Sequence, residues 1–198
     1  QVSKGAGSVA NGSQAITGQI NLELLKPEKA DKFFMNVYGD QEGRLEMNTS
    51  NRFTLNDHWK YLVMAHADYS GLRSDHNEDG FMDQPLSRQM NLYNRFMYHS
   101  GKKLEAQFGV KALLDDKVGG EMDFKPSVDK GTTKHYGFGI TTKRMEVYSK
   151  TGFVYPATPY KSMGLQADAV LHKQESYFGL TDWDGTERTV YLNYSNIN

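Results

Sequence analysis

Residues 59–69 read WKYLVMAHADY and alternate between apolar and polar side chains. One side carries Trp59, Tyr61, Val63, Ala65, Ala67 and Tyr69, and the other carries Lys60, Leu62, Met64, His66 and Asp68. Successive side chains of a β-strand point to opposite faces, so a period of two indicates a strand with one apolar face. This stretch therefore predicts a half-buried strand.

The same alternation recurs along the chain. It is clear in LEAQFGVKA (104–112) and MGLQADAVLH (163–172), and weaker in LEMNTSNRF (45–53) and MNLYNRFMY (90–98), where Asn94 falls on the apolar side. The chain has 19 glycines, 12 tyrosines and 10 phenylalanines, and hydrophobic residues make up only 38% of it. No stretch shows a convincing 3.6-residue apolar stripe. We therefore expect an all-β chain.

Composition excludes several classes of protein. A formal net charge of −1 over 198 residues argues against a nucleic-acid-binding protein, which would usually be basic. The chain has no cysteine, which excludes disulfide scaffolds and thiolate metal sites. It has no run of apolar residues long enough for a transmembrane helix. The strands of a membrane β-barrel are short and only half apolar, so that class stays open.

Loop lengths favour a membrane barrel over a soluble β-sandwich. The alternating stretches approach the roughly 9–11 residues that a tilted membrane strand needs, and several carry aromatic residues near their ends. The connections alternate between short turns and longer loops at 70–88 and 114–134, as in outer-membrane barrels. The predicted fold is an antiparallel transmembrane β-barrel, to which this chain contributes about eight strands after Pro27.

The region 136–153 breaks this pattern, because its apolar residues occupy even positions first and odd positions later. Either a bulge near Lys143 and Arg144 shifts the faces, or a tight turn makes two strands. We expect one long bulged strand, followed by a short turn at PATPYK (156–161). TDWDGTE (181–187) is then expected to be a loop tip.

The N-terminal segment carries a family resemblance. GSQAITGQINLEL (12–24) has the pattern GS-x-AI-x-G-x-IN and resembles the end of the plug domain of TonB-dependent outer-membrane receptors, the match covering residues 8–24. The resemblance implies that residues 1–27 end a plug domain lying inside a barrel. Residues 28–198 would be the N-terminal portion of the barrel. Plugged transporter barrels have about 22 strands, so we expect this chain to be part of a longer protein.

The resemblance also implies a function. Such receptors are multi-pass β-barrels of the bacterial outer membrane that import siderophores, haem, cobalamin, metals or oligosaccharides. The implied partners are the TonB energising complex, outer-membrane lipid, a small-molecule or metal-complex ligand and a surface lipoprotein. No catalysis and no nucleic acid would be involved, and the sequence contains neither G-x-S-x-G nor H-E-x-x-H. The ligand-binding residues are not identified.

Two other interpretations stay open on the residues alone. One is a secreted β-sandwich that binds carbohydrate or calcium. The other is a small, complete eight-stranded outer-membrane barrel, because closure around a side-chain-filled interior is possible at eight strands.

One stretch suggests a metal ion. DHNEDGFMD (75–83) places oxygen ligands at Asp75, Asn77, Asp79 and Asp83, like the opening of an EF-hand calcium loop. The bidentate glutamate of that loop is missing, because Leu86 stands in its place. We expect either a weak structural Ca²⁺ site in a loop between two strands or an acidic turn, since Asp, Asn and Gly also favour turns.

Overall fold

The structure, a computed structural model, describes residues 2–5, 18–20, 24–101, 103–158 and 160–197. Nearly all of them lie in strands or in the connections between strands. The strands are β1 (Val2–Lys4), β2 (Gly18–Ile20), β3 (Phe33–Gly39), β4 (Arg44–Thr54), β5 (Trp59–Ser70), β6 (Leu86–Ser100), β7 (Leu104–Gly120), β8 (Gly137–Val154), β9 (Ser162–Phe178) and β10 (Thr181–Ile197). The helical part of the described chain is one turn, α1 (Pro126–Asp129).

Strands β3 to β10 form a single antiparallel sheet in sequence order, each strand paired with the next. Strands β1 and β2 form a separate antiparallel pair. The prediction of an all-β chain with eight antiparallel strands after Pro27 is confirmed. The two outer strands of the sheet, β3 and β10, do not pair with each other, so the described sheet is open.

Region 136–153 lies almost entirely in the single strand β8, and the predicted bulge is wrong. The register between β7 and β8 runs from Leu104↔Phe153 to Gly120↔Gly137 without an extra residue, and the register with β9 is equally regular. The apolar residues change parity because rings from elsewhere cover the odd positions at one end. A Cβ at Gly137 would meet the Phe124 ring, and a Cβ at Gly139 would meet the Tyr177 ring.

Two expected loops are shorter than predicted. Residues 181–187 are not a loop tip but the start of β10, which pairs from Thr181↔Phe178 onward. The hairpin is closed by Gly179 and Leu180 alone, with Gly179 at φ +58°, the left-handed region that two-residue hairpin turns favour. Strand β7 likewise continues to Gly120, so the loop predicted at 114–134 spans 121–136. The short turn around 156–161 is confirmed between β8 and β9.

The register divides the sheet into two faces of opposite character. We call the following set the apolar band: Phe33, Met35, Val37, Leu45, Met47, Thr49, Asn51, Phe53, Trp59, Tyr61, Val63, Ala65, Ala67, Tyr69, Met90, Leu92, Asn94, Phe96, Tyr98, Leu104, Ala106, Phe108, Val110, Ala112, Leu114, Met145, Val147, Ser149, Thr151, Phe153, Met163, Leu165, Ala167, Ala169, Leu171, Val190, Leu192 and Tyr194. It contains no Asp, Glu, Lys, Arg or His.

The opposite side, the polar face, carries most of the charged residues of the same strands. The sequence predicted Tyr61, Val63, Phe108, Val110, Leu165 and Ala167 on one face and Lys60, Glu105, Lys111 and Asp168 on the other. The register confirms this division.

Burial is inverted relative to a water-soluble sheet. On the polar face, Ser50, Tyr93, Arg95 and Thr142 are buried. In the apolar band of the central strands, Met145 is 52% exposed and Leu165 is 47% exposed. The covered side of this sheet is therefore its polar side, the reverse of the usual arrangement.

The chain reaches the sheet through residues 24–32, which we call the leader end. Its backbone forms a turn in which the amides of Lys29 and Ala30 both donate to the Lys26 carbonyl at 3.0 Å. Pro27 and Ala30 are buried. Among the described residues, no helix is long and apolar enough to cross a membrane.

Candidate functional site

A cavity of about 550 Å³ lies against the polar face. We call it the polar-face cavity. Strands β4 to β8 supply most of its wall, and the leader end closes part of it. Its lining includes Leu24, Leu25, Phe34, Asn48, Ser50, Met64, His66, Asn91, Tyr93, Lys111, Leu113, Arg144 and Glu146. The site thus combines apolar residues of the leader end with charged residues of the sheet.

Arg95 connects the sheet to the leader end. Its Nε donates to the Tyr93 hydroxyl at 2.6 Å and lies 3.4 Å from the Tyr148 hydroxyl. Its Nη1 donates to the backbone carbonyl oxygens of Leu25 at 3.1 Å and Leu24 at 3.4 Å. The two tyrosine hydroxyls are 2.7 Å apart and their rings stack with centroids 6.1 Å apart. The guanidinium is thereby fixed from both sides.

A second charged group adjoins these tyrosines. The Lys111 ammonium forms a close ion pair with Glu146, which also lies 3.4 Å from Arg144. The same ammonium lies 5.2 Å from the centre of the Tyr148 ring, a distance at which a cation and an aromatic face attract. Two cations therefore share the Glu146 carboxylate on this wall, and the Asp168 carboxylate lies beside the same cluster.

A hydrogen-bonded network extends along β4 and β5. His66 Nδ1 lies 2.8 Å from Asn48 Oδ1, and because an amide oxygen only accepts, the imidazole donates here. The Asn48 amide nitrogen in turn donates to Glu46 at 2.8 Å. Arg44 donates to both Glu46 and Asp68, at 3.0 and 2.7 Å. Such a chain of satisfied polar groups is typical of a wall that faces water or polar protein segments.

The apolar band has its own order. Its rings form a connected row near the short-turn end, comprising Phe53, Tyr61, Phe96, Phe108, Trp59 and Tyr98, with successive centroids 4.4 to 5.9 Å apart. Its polar members are paired within the sheet: the Tyr61 hydroxyl donates to Asn94 Oδ1, and the Thr49 hydroxyl donates to the Phe34 carbonyl at 3.0 Å. This surface therefore offers little polarity to its surroundings.

The two long connections, 71–85 and 121–136, are bonded to each other. Phe81 and Glu121 form a β-bridge, and the Met82 and Met122 amides donate across it to the Gly120 and Gly80 carbonyls, each at 2.9 Å. Arg73 extends the link by donating to the Phe124 carbonyl at 2.7 Å. These two connections form one unit at one end of the sheet, which we call the loop pair.

A second cavity of about 550 Å³ lies beside the loop pair, lined by Arg88, Asp116, Lys130, Glu175, Asp182 and others. Lys130 lies 3.6 Å from an oxygen of Asp182 and 4.6 Å from the centre of the Tyr177 ring. Charges of both signs line this cavity, so it favours neither a cation nor an anion.

The candidate calcium residues all lie in the loop pair, but they divide into two groups. Asp75 accepts from the backbone amides of Asp79 and Gly80 at 3.2 and 2.8 Å, and Asn77 donates to Asp79 at 3.0 Å. Asp83 instead accepts from His76. Gly80 has φ +84°, as the expected sharp turn requires. Across the described residues, no group of three or more His, Cys, Asp or Glu side chains converges as metal ligands. The calcium site stays a prediction.

His76 and Asp83 form a small titratable pair. The His76 Nδ1 and its backbone amide lie 2.7 and 2.9 Å from the same Asp83 oxygen. The hydrogen bond with Asp83, followed by the nearby Glu42 charge, raises the pKa of His76. The hydrogen bond from the imidazole lowers the pKa of Asp83. The pair is exposed, so it orders the loop without contributing much to global stability.

Sequence reasoning missed Arg95 and its leader contact, as well as the Lys111–Glu146 pair. Alternation placed Lys111 on the polar face, and the same parity argument would have placed Arg95 and Glu146 beside it. Nothing in the sequence marks the Arg95 contact, because its acceptors are backbone carbonyls, which every residue has.

Comparison with known proteins adds no family. No protein-family model matches the chain, no curated protein matches it, and no solved structure matches it. Of the plug-like residues 8–24, only Gly18–Ile20 and Leu24 are among the described residues, so the TonB-dependent resemblance stays a prediction.

Proposed function

We propose that this chain forms part of the wall of an outer-membrane β-barrel that imports a ligand around a plug, as TonB-dependent receptors do. The observation that carries the proposal is the inverted sheet. Its exposed face carries a broad band without charged residues, and its covered face holds the Arg44–Asp68 and Lys111–Glu146 ion pairs. In water a sheet is stable with its apolar face covered and its polar face exposed. A barrel wall between lipid and a polar lumen requires the reverse.

The extent of the apolar band supports lipid as its surroundings. The band crosses all eight strands and exposes large apolar side chains on each of them, whereas soluble monomers rarely expose extended contiguous apolar patches. Charged residues on the same face, such as Arg88, Asp116 and Lys173, lie beyond the band near the loop pair. The row of aromatic rings near the short turns fits an interfacial girdle, in which ring faces meet lipid and polar tips meet headgroups.

The leader end supports an occupied lumen. It lies on the polar side of the sheet, where Arg95 holds the carbonyls of Leu24 and Leu25. A plug domain joined to the first strand of a barrel would leave its lumen by this route. The open edges at β3 and β10 fit a wall that further strands continue, because unpaired edges are avoided in a bilayer.

The ligand and the energy source are part of the proposal and rest on the resemblance alone. The ligand would be a siderophore, haem, cobalamin, metal complex or oligosaccharide that enters at the loop pair and passes the polar-face cavity. Coupling to TonB would move the plug, and no bond of the ligand would be made or broken.

The alternative of a secreted β-sandwich receives less support. A sandwich needs a second sheet packed on the apolar face of the first, and the described strands supply only the separate β1–β2 pair besides the large sheet. A complete eight-stranded barrel would require β3 and β10 to pair, which they do not do in the described sheet.

Cysteine labelling tests the proposal directly, because the chain has no cysteine of its own. Single cysteines are placed at adjacent positions, Val110→Cys with Lys111→Cys and Leu165→Cys with Gln166→Cys, in the protein expressed in bacterial cells. A water-soluble maleimide is then applied to isolated outer membranes that have been opened to admit it. Val110→Cys and Leu165→Cys should stay unlabelled while Lys111→Cys and Gln166→Cys react, since a thiol in hydrocarbon does not form the reactive thiolate.

The result for a soluble sheet is different. Leu165 is 47% exposed in this sheet, so without lipid its cysteine would react readily. Equal labelling of both members of each pair, or recovery of the protein without detergent, would reject the membrane proposal. Detergent denaturation provides the control that every introduced cysteine can react.

A further inference from the structure

Arg95 is a buried cation whose described partners are all neutral. Arg95 is only 8% exposed, and within the described chain no carboxylate lies at ion-pair distance from its guanidinium. Buried arginines are usually paired with an acid, because desolvating an unpaired charge is costly. Among the described residues, two tyrosine hydroxyls and two backbone carbonyls take that role.

The four acceptors divide between two parts of the chain. The tyrosine hydroxyls belong to β6 and β8 and hold Nε, whereas the carbonyls belong to the leader end and hold Nη1. The guanidinium is planar and rigid, so fixing Nε on the sheet also aims Nη1. The sheet therefore presents a preorganised donor, and the leader end supplies acceptors that need no particular side chain.

We infer that Arg95, Tyr93 and Tyr148 form a docking site for the leader backbone at Leu24 and Leu25, which we call the Arg95 latch. The latch holds the leader against the wall, and it can release because neutral carbonyls bind a guanidinium less strongly than a carboxylate does. Its role in transport rests on the proposed function: a plug that moves must be held at its exit from the lumen and then let go. The docking contact itself does not depend on transport.

A nitroxide on Leu25→Cys reports the latch, because the side chain of Leu25 is 40% exposed while its carbonyl makes the contact. The spectrum is recorded for the purified, detergent-folded protein with Arg95 and with Arg95→Gln, Arg95→Met and Arg95→Lys. Trypsin cleavage after Lys29, in the turn of the leader end, gives an independent rate. Arg144→Gln is the matched control, because Arg144 lines the same cavity and pairs with Glu146 instead.

Arg95→Gln and Arg95→Met should increase the mobile nitroxide fraction and speed cleavage by about tenfold, the factor for losing one hydrogen bond to a charged group. Arg95→Lys should recover part of the loss, since it keeps the charge but not the fork. A role in packing alone predicts that Met preserves the latch as well as Lys does. Arg144→Gln should leave both signals unchanged.

The inference is overturned if Arg95→Gln and Arg95→Met leave both signals at the level of Arg95, or if Arg144→Gln changes them equally. Should Arg95→Gln fail to fold, Tyr93→Phe keeps the guanidinium but leaves its Nε with only the longer contact to Tyr148, and a smaller increase in leader mobility is then expected. An unchanged signal in Tyr93→Phe also counts against the latch. Failure of the membrane proposal appears separately, as labelling of Val110→Cys.

Discussion

The two faces of the sheet are built by different rules. In the apolar band, side chains contact one another through rings and methyl groups, and any apolar residue of suitable size keeps the surface apolar. On the polar face, particular atoms are paired, as in the hydrogen bonds of Arg95 and the Lys111–Glu146 ion pair. The apolar face therefore constrains the class of residue, whereas the polar face constrains its identity.

The largest expected effect breaks the apolar face. Val110→Arg places a charge in the middle of the band. If the band faces lipid as proposed, the substitution should destabilise the folded protein by roughly 2–4 kcal/mol, the cost of arginine on a lipid-facing strand. Lys111→Ala, at the next residue, should cost about 1 kcal/mol or less, because Lys111 is partly exposed and its ion pair is screened. Denaturant titration of the refolded protein in detergent or lipid measures both.

Equal tolerance of these two substitutions would contradict the comparison between the faces. The same experiment in a soluble sheet would give a small effect at both positions, since arginine on a surface facing water costs little.

An intermediate effect should come from packing on the polar face. A Cβ at Gly109 would lie 2.0 Å from the backbone oxygen of Asn94 and 2.8 Å from the Tyr148 hydroxyl. Gly109→Ala should therefore destabilise the protein by about 1–3 kcal/mol, the range for overpacking. Gly152 also points to the polar face, but no atom of the described residues lies within 4 Å of its Cβ position, so Gly152→Ala is the control and should be neutral or slightly stabilising.

Denaturant midpoints of the two alanine variants decide the outcome. If Gly109→Ala is as stable as Gly152→Ala, the polar face is loosely packed and the contrast with the apolar band weakens.

The contrast between the apolar band and the polar face also explains which parts of the structure the sequence predicts. Alternation at Val110 and Lys111 predicted both faces and the strands that carry them, because one period of two determines class and orientation together. It was wrong in 136–153, where Gly137 and Gly139 leave room for rings supplied by other segments. It also took the acidic start of β10 for a loop, although pairing with β9 makes that region a strand.

The candidate site was less predictable than the fold. The polar-face cavity depends on which side chains of five strands lie next to each other. That pairing is set by the exact length and geometry of the turns, which the sequence does not define residue by residue. The Arg95 contact with Leu24 and Leu25 involves backbone acceptors. A contact with backbone carbonyls leaves no pattern of residue type or spacing in the sequence, so the sequence cannot predict it.

The smallest expected effect lies in the loop pair, which belongs to neither face. Asp83 stabilises the folded loop pair at pH values above its unfolded pKa, and this stabilisation is lost as pH falls through its lowered folded pKa. The His76 contribution is complete below its unfolded pKa of about 6.5 and is lost as pH rises through the raised folded pKa. The loop pair should therefore be most ordered between the unfolded pKa values of Asp83 and His76, and its order should decline in alkaline solution.

A nitroxide at Phe81→Cys, followed over pH, measures this order. In a His76→Gln background the alkaline decline should disappear. A decline that persists without His76 would assign it to another group.

The regular register has a consequence for how this chain can change in length. Every pairing from β3 to β10 runs without an extra residue, so the parity of a residue's number within its strand decides its face of the sheet. Deleting one residue inside β8 would exchange apolar-band and polar-face positions for the remainder of that strand. We therefore expect insertions and deletions to be tolerated at the hairpin ends and in the loop pair, whereas inside a strand only substitutions preserve the two faces.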